Sequence, residues 1–225
     1  MEKIPKIIHY VWFWKWKKSK DFIKYLNSWK KYCPDYEIKE WNEDNFDINQ
    51  NYYLKKFYDK KIWAFASDFA RVKILYENGW IYLDTDIEIL KNFDELLKNN
   101  AFIWFQDVFS IWCSVIWAKK WNIILKEVLS IYENKKIRIV LPNLLTKIFK
   151  KYLLKKYNFK IQNIGDFKVY PKDYFYPYAY YEKPKNMKIT NNTYSIHRFE
   201  ASWLPSIITK ISFPIIAYCA KKITK

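Results

Sequence analysis

Glycine is nearly missing from this chain, which has 2 glycines in 225 residues where about 7% would be usual. Tight turns need backbone positions with positive φ, which only glycine occupies without strain. The fold is therefore expected to avoid such turns, or its glycines have been replaced. Tryptophan shows the opposite imbalance, with 12 residues.

Long apolar runs are also missing. None reaches the ~18 residues of a membrane-spanning helix, and the first residues, MEKIPKIIHY, lack the apolar segment of a signal peptide. Cys33, Cys113 and Cys219 are too few and too widely spaced for a disulfide framework or a metal knuckle. With 51% hydrophobic and 28% charged residues, the chain is predicted to fold as one cytoplasmic domain.

Acidic residues are outnumbered: the formal net charge is +17, with basic stretches such as KWKKSK (15–20) and KIFKKYLLKK (147–156) spread along the chain. A charge of this size suits nucleic acid, an anionic membrane face or a phosphorylated substrate. An AT-rich coding sequence, which favours Lys, Ile, Asn, Tyr and Phe together, explains it equally. Charge alone leaves the partner open.

The chain alternates predicted strands and helices, which indicates an α/β fold. Strands are predicted over 6–13 and 36–41. A helix capped by Ser19 is expected to run to Tyr32, and a second helix over 62–78 ends at Gly79. Further strands are predicted at 81–83, 87–90, 101–105 and 114–118, helices near 122–133 and 142–156, and short strands within 160–200.

The C-terminal segment 204–225 is apolar and basic, but Pro205, Lys210 and Pro214 interrupt it. It is too broken to span a bilayer. It is expected either to lie on a membrane surface or to pack as a terminal helix on the core.

Asp84-Thr85-Asp86 is the strongest candidate site. Two carboxylates one residue apart, at the end of a buried strand, are costly unless a cation or hydrogen bonds stabilise them. A divalent cation that also binds a substrate diphosphate would meet that need. A solvated acidic turn is the alternative.

The helix before this turn carries Ser67, Asp68 and Arg71 on an otherwise apolar stretch. The i,i+3 spacing puts Asp68 and Arg71 on one helix face. They are candidates for binding a phosphate or sugar hydroxyl. A structural ion pair between helix and strand is the alternative.

These residues resemble glycosyltransferase family 32, the group whose sugar-binding region contains a DXD motif. The resemblance covers residues 4 to about 110 and returns near 197–203. The motifs that carry it are HYVWF (9–13), SW (28–29), PDYEIKEWNEDNFD (34–47), WAFASDFAR (63–71), LYENG (75–79), IYLDTDIEILK (81–91) and HRFEASW (197–203).

The resemblance implies a GT-A-like domain over 1–203, with a Rossmann-like mixed sheet flanked by helices and the DXD motif at a strand end. It implies retaining transfer of a hexose from a nucleotide sugar, with a UDP-sugar as first candidate and GDP-mannose as second. The expected acceptor is a glycan or lipid-linked oligosaccharide in surface or capsular polysaccharide synthesis. The protein is expected to be cytoplasmic and without a nucleic-acid partner, and the segment 204–225 is a candidate for peripheral contact with an anionic membrane.

By position, the resemblance also assigns roles to single residues. Asp84 would face the donor, and the metal through water, and Asp86 would bind Mn²⁺ or Mg²⁺ directly. The remaining donor contacts would come from Trp12, which stacks on the base, from Ser67, Asp68 and Arg71, and from a closing loop with His197, Ser202 and Trp203.

The chemistry of the residues agrees with part of this assignment. Departure of a nucleoside diphosphate builds negative charge, which a metal and Arg71 would stabilise. His9 lies in an apolar strand and is expected to be a core residue, whereas His197 is a candidate third metal ligand. No residue stands out as a nucleophile, so attack on the leaving-group face is favoured.

Two other functions stay open at this stage. One is a non-catalytic relative that binds the sugar nucleotide. The other is a basic nucleic-acid-binding protein, although the chain has no recognisable RNA-binding motif or basic stripe.

Seven tryptophans occupy positions where the family carries glycine or another small residue. Repeated overpacking at about 1–3 kcal/mol per site would exceed the stability of a domain. We hypothesise that these seven are UGA codons that the source organism reads as glycine, which would bring glycine and tryptophan near ordinary usage. They are Trp14, Trp16, Trp80, Trp104, Trp112, Trp117 and Trp121.

Overall fold

A computed structural model describes residues 6–13, 15, 17–107, 110–134, 139–178 and 187–200. The strands are β1 Lys6–Val11, β2 Tyr36–Trp41, β3 Trp80–Leu83, β4 Ile87–Ile89, β5 Ala101–Phe105, β6 Ile111–Ala118, β7 Gln162–Ile164, β8 Phe167–Tyr170 and β9 Ser195–His197. The helices are α1 Lys20–Tyr32, α2 Tyr52–Asp59, α3 Trp63–Asn78, α4 Ile123–Asn134 and α5 Leu141–Lys151.

Seven of the strands form one mixed sheet in the order β2-β1-β3-β6-β5-β8-β7, and β4 pairs with β9 in a separate two-stranded sheet. β1 lies parallel to β2 and β3, while β6 runs antiparallel to β3 and β5. The predicted mixed sheet flanked by helices is therefore confirmed. The DXD motif begins directly after Leu83, the last residue of β3.

Local sequence signals predicted several elements closely. α1 begins after Ser19, whose hydroxyl accepts the backbone N–H of Phe22 at 3.0 Å, as expected of an N-cap. β2 and β5 have the predicted bounds. α3 ends at Asn78 and is followed by Gly79, where φ is +74° and an added Cβ would lie 2.9 Å from the backbone nitrogen of Lys120. Only glycine fits that junction.

The prediction for α5 was wrong at its C-terminal end. The helix was expected to reach residue 156, but it ends at Lys151. Leu153 has a φ of +70°, and its N–H bonds to the carbonyl of Lys150 at 3.1 Å. Leu154 then bonds back to Phe149 at 2.9 Å. The chain closes the helix with a left-handed residue that is not glycine, so no residue type signals the end.

Helices cover both faces of the large sheet, and each face has its own core. One core, the helical face, packs α2, α3, α4 and α5 on the sheet, and about a third of its buried members are aromatic. The other, the aromatic face, packs α1, β4, Phe175, Tyr176 and Tyr194 on the sheet, and more than half of its buried members are aromatic.

Tryptophans suspected of replacing glycine show two kinds of local stress. Trp80 and Trp121 have φ values of +69° and +63°, a region that a bulky residue rarely adopts. The indole N–H groups of Trp104 and Trp112 are buried without a hydrogen-bond partner. Trp117 differs, because its indole donates to the carbonyl of Asn99 at 3.0 Å. Glycine would remove both kinds of stress, which supports the hypothesis but leaves it a prediction.

Several sequence predictions lie outside the described residues: Trp14, Trp16, Ser202, Trp203, the domain boundary at 203 and the segment 204–225. In the part of the chain that the structure describes, no helix combines the length and the apolar character needed to cross a bilayer.

Candidate active site

The acidic turn after β3 is positioned by main-chain hydrogen bonds. The backbone N–H of Asp84 donates to the carbonyl of Ser114 in β6 at 2.8 Å. The turn then closes through the N–H of Ile87, which donates to the carbonyl of Asp84 at 3.2 Å. The position of the motif is therefore set by the backbones of β3 and β6.

The second half of the site reaches the turn through the small sheet. β4 pairs with β9 so that Ile87 lies opposite His197, and the N–H of Arg198 donates to the carbonyl of Asp86 at 2.9 Å. α1 holds β4 from behind, because the Trp29 indole donates to the carbonyl of Ile87 at 2.7 Å. A distant segment is thereby held against the DXD turn.

Asp84, Asp86 and His197 form a cluster whose possible ligand atoms all lie within 4.8 Å of one another. Nε2 of His197 lies 3.1 Å from Oδ1 of Asp86. The other oxygen of Asp86 accepts the backbone N–H of Glu200 at 3.2 Å. The three residues predicted as metal ligands are therefore brought together.

The donor set of this cluster fits a divalent cation. Two carboxylates and one imidazole offer oxygen and nitrogen ligands, a combination that Mn²⁺ accepts, while Mg²⁺ would rely on the carboxylates. Nδ1 of His197 is buried without a hydrogen-bond partner, as is the hydroxyl of nearby Ser195. The polar groups at this edge are thus incompletely satisfied by the protein alone.

Arg71 is committed to the acidic turn. Its guanidinium contacts Asp84 through two nitrogens, at 2.9 and 3.2 Å, and donates to the carbonyl of Cys113 at 3.0 Å. It also lies 4.8 Å from the centre of the Tyr82 ring. The structural ion pair that the sequence left open is therefore present, and it ties α3 to the end of β3.

The two carboxylate oxygens of Asp68 have different partners, and only one of them lies on the side of the DXD turn. One oxygen lies 3.5 Å from Arg71, and the other accepts the backbone N–H of Leu141, the first residue of α5, at 2.9 Å. Burial raises the pKa of Asp68 to about 6, against the opposing effects of Arg71 and the Leu141 N–H. Asp68 thus joins α3, α5 and the acidic turn.

The two carboxyls of the motif differ in their electrostatics. Burial raises the pKa of Asp84, and Arg71 only partly opposes it. Burial acts on Asp86 in the same direction, but His197 and N–H donors including that of Glu200 outweigh it and lower the pKa. Asp86 is therefore the better-maintained anion and the better cation ligand.

Ser67 and Trp12 remain weaker candidates. The hydroxyl of Ser67 donates to the carbonyl of Ala64 at 3.0 Å, as a helix residue commonly does. Trp12 is 8% exposed and stacks on Phe22, with ring centres 5.1 Å apart. One face of the indole is thus covered by protein, and base stacking on it stays a prediction.

His9 behaves as the expected core residue. It is fully buried in β1, and the indole of Trp41 donates to its Nδ1 at 3.1 Å. Burial, together with Lys39, lowers the pKa of His9 to about 4. It is neutral near pH 7 and lies outside the metal cluster.

Sequence reasoning missed the residues that act through their backbone. The N–H groups of Glu200 and Leu141 and the carbonyl of Cys113 bind the site's charged groups. Because any residue supplies these atoms, their side chains carry no signal. The HRFE stretch that ends at Glu200 is one of the motifs that carry the family resemblance, and it was the one sequence signal for the contact between Glu200 and Asp86.

The fold is that of GT-A glycosyltransferases. It is similar to the solved structure of PaToxG Glycosyltransferase, with a TM-score of 0.54 and 20% sequence identity over 66% of this chain and 69% of that chain. The predicted fold class is confirmed.

Residues 19–103 match the family model described as "Glycosyltransferase sugar-binding region containing DXD motif". The chain is 31% identical over 114 residues to inositol phosphoceramide mannosyltransferase 1 of Schizosaccharomyces pombe and 34% identical over 101 residues to an uncharacterized glycosyltransferase of Acanthamoeba polyphaga mimivirus. These matches cover 46% and 42% of this chain, and 34% and 40% of the relatives. The predicted resemblance to DXD-containing family 32 glycosyltransferases is confirmed.

Proposed function

We propose that the protein is a metal-dependent retaining glycosyltransferase that moves a hexose from a nucleotide sugar to a glycan or lipid-linked acceptor. The observation that carries the proposal is the cluster of Asp84, Asp86 and His197 at the end of β3 in a GT-A fold. A UDP-sugar is the first donor candidate and GDP-mannose the second. Because one relative is named as an inositol phosphoceramide mannosyltransferase, we include mannose among the candidate sugars and inositol phosphoceramide among the candidate acceptors.

Asp86 and His197 would hold Mn²⁺ or Mg²⁺, with Asp84 close enough to join through water. The bound cation would supply positive charge for the leaving diphosphate. Arg71 holds both oxygens of Asp84, so its role toward the donor is to fix that carboxylate and to add positive potential. Trp12, Ser67, Asp68, Ser202 and Trp203 complete the proposed donor contacts.

In the proposed step, an acceptor hydroxyl oxygen forms a bond to the anomeric carbon while the bond from that carbon to the phosphate oxygen breaks. The diphosphate leaves with the electron pair and takes the hydroxyl proton. Attack and departure occur on the same face of the sugar, which retains its configuration. This order needs positive charge near the diphosphate and no nucleophilic residue.

The test is donor turnover by the purified full chain with a panel of UDP- and GDP-sugars, with and without Mn²⁺. It compares the chain as written, a version with glycine at the seven suspect tryptophans, and Asp86→Asn in each. We expect turnover of one donor and a loss of about 10²–10³-fold or more in Asp86→Asn. Glu88→Gln is the matched control, because Glu88 pairs with Arg198 outside the cluster.

A binding function without transfer is the second candidate. The ring centre of Trp112 lies 6.2 Å from that of His197, so a large side chain stands beside one of the proposed metal ligands. Saturable donor binding without turnover in folded versions with and without the tryptophans would favour this function. Binding of RNA with no donor binding would instead support the nucleic-acid alternative.

A further inference from the structure

The loop that follows α5 exposes large apolar side chains. Leu153 is 80% exposed, Phe159 is 78% exposed and Ile161 is 40% exposed. Single exposed apolar residues are common, but three within nine residues of one loop form a patch. We call residues 152–161 the basic loop, because lysines accompany these side chains.

The basic loop is held in place from inside. Tyr157 is buried, and its ring centre lies 5.0 Å from that of Phe105 in the sheet. The side chain of Gln162 accepts the N–H of Lys155 at 2.9 Å and donates to its carbonyl at 3.2 Å. Leu154 packs against the core of the helical face. These contacts fix the backbone of the loop, so Leu153, Phe159 and Ile161 point outward from a segment that is anchored to the fold.

Backbone strain supports the same conclusion. Leu153 and Phe159 have φ values of +70° and +61°. Such conformations cost about 1–3 kcal/mol for residues other than glycine. The two most exposed apolar side chains thus belong to strained residues, while the neighbouring Leu154 and Tyr157 face inward.

The charged side chains of α5 and of the basic loop itself all have one sign. Residues 141–160 contain no aspartate or glutamate. Glu127 of α4 approaches from outside this stretch and pairs with Lys151 at 2.9 Å. The exposed lysines of α5 and the loop are Lys147, Lys150, Lys151, Lys155, Lys156 and Lys160.

We propose that the basic loop docks on an anionic lipid bilayer, with Leu153 and Phe159 inserted at the boundary between headgroups and acyl chains. Lysines near an anionic surface strengthen binding, and exposed apolar tips add the buried area that charge alone lacks. A lipid surface suits the patch better than nucleic acid, because Leu153 has no ring on which a base could stack.

This surface lies one helix away from the candidate active site. α5 begins at Leu141, whose N–H contacts Asp68, and ends at the basic loop. Eleven residues at 1.5 Å each make about 16 Å. A membrane at the loop would bring the proposed site near lipid-linked acceptors, but the docking inference does not depend on the proposed transfer.

The test is flotation of the full chain with two kinds of vesicle. One kind contains phosphatidylcholine alone, and the other also contains about 30 mol% phosphatidylglycerol, which gives it an anionic surface. We compare Leu153→Ser/Phe159→Ser with the control Ile23→Ser/Ile189→Ser, which removes exposed apolar residues elsewhere. We expect the loop variant to bind anionic vesicles at least about tenfold more weakly, and the control to bind like the wild type.

Equal binding by the loop variant and the wild type would overturn the proposal and assign any vesicle binding to another surface, such as the segment 204–225. Binding to neutral and anionic vesicles alike would overturn the role of the lysines. Fluorescence anisotropy with a labelled RNA oligomer forms the last arm. RNA binding that is lost in the loop variant, without vesicle binding, would overturn the lipid assignment in favour of nucleic acid.

Discussion

The helical and aromatic faces of the sheet are built in different ways, and the candidate site joins them. On the helical face, α3 and α5 supply Asp68, Arg71 and the N–H of Leu141, and the charged groups are largely paired. On the aromatic face, β9 supplies His197, whose Nδ1 is unpartnered, as are the indoles of Trp104 and Trp112. The helical half therefore holds the acidic turn in place, and the aromatic half supplies His197, the third residue of the Asp84, Asp86 and His197 cluster.

Four of the five suspect tryptophans that the structure describes lie on the aromatic face, which also contains Trp12 and Trp29. Trp80, Trp104, Trp112 and Trp117 all belong to or pack against the aromatic core, and none lies in the helical core. Buried polar atoms without a partner are not confined to this face, because Nε of Arg71 and the hydroxyl of Tyr132 are further examples on the helical face. Glycine at position 112 would remove the indole whose ring centre lies 6.2 Å from that of His197.

Substituting one residue of the candidate site from each half gives the sharpest comparison. Arg71→Met should lower the free energy of unfolding by about 3–5 kcal/mol, because Asp68 and Asp84 lose their buried counter-charge. His197→Gln should destabilise far less but weaken Mn²⁺ binding by at least about tenfold. Urea denaturation and metal titration measure the two effects. Similar unfolding losses in both variants would erase the distinction between support and ligand.

Two fully buried indoles test whether the aromatic face is overpacked. Trp29 donates to the carbonyl of Ile87, whereas Trp104 has no partner for its N–H. Trp29→Gly should cost about 3–5 kcal/mol in unfolding free energy. Trp104→Gly should cost less than about 1 kcal/mol, or stabilise the protein, if glycine is native there. A cost equal to that of Trp29→Gly would count against the recoding hypothesis, as would UGG codons at the seven sites.

His9 allows a test of how stability depends on pH. It lies in β1, the strand that pairs with β3. Its pKa is lowered to about 4 from an ordinary value of 6.5. Between these values the unfolded chain binds more protons, so the stability contributed by neutral His9 is lost as pH falls from about 6.5 to 4. The loss should approach about 3 kcal/mol.

The control for this test is His9→Gln, which keeps an acceptor for Trp41 and does not titrate. Denaturation of both proteins at pH 7 and pH 4.5 isolates the histidine. Asp68, whose raised pKa acts in the opposite direction, cancels in the difference. A pH dependence unchanged by the substitution would show that His9 is not the group responsible.

The smallest effect is expected outside both cores. Trp121 is 59% exposed and has a φ of +63°. Trp121→Gly should stabilise the protein by about 1 kcal/mol, because it relieves the backbone strain. The loss of the ring contact with Tyr76 opposes this gain. Trp121→Ala is the matched control, since it removes the same contact but keeps the strain. Thermal unfolding that ranks alanine at or above glycine would contradict the prediction.

Sequence signals predicted those features of the fold that are determined by residues close together along the chain. The Ser19 cap, the Gly79 junction and the strand that leads into Asp84 were all visible locally. The end of α5 was not, because Leu153 adopts a conformation that its residue type does not favour. The order of the strands and the N–H of Leu141 on Asp68 depend on contacts between distant segments.

The site followed the same division. The Asp-x-Asp spacing and the motif around His197 pointed to the cluster, with the help of the family resemblance. The use of Arg71 as a bridge to Asp84 rather than as an unengaged donor ligand needed the structure. The sequence had offered both alternatives.

The main-chain bond from Asp84 to Ser114 has a consequence for how such a site can diversify. Since the acidic turn is held by a carbonyl oxygen of β6, the side chains of that strand are not needed to keep it in place. Descendants of one ancestral gene could therefore exchange side chains along β6 without rebuilding the acidic turn, so sequence along this strand would be free to drift while the turn stays fixed.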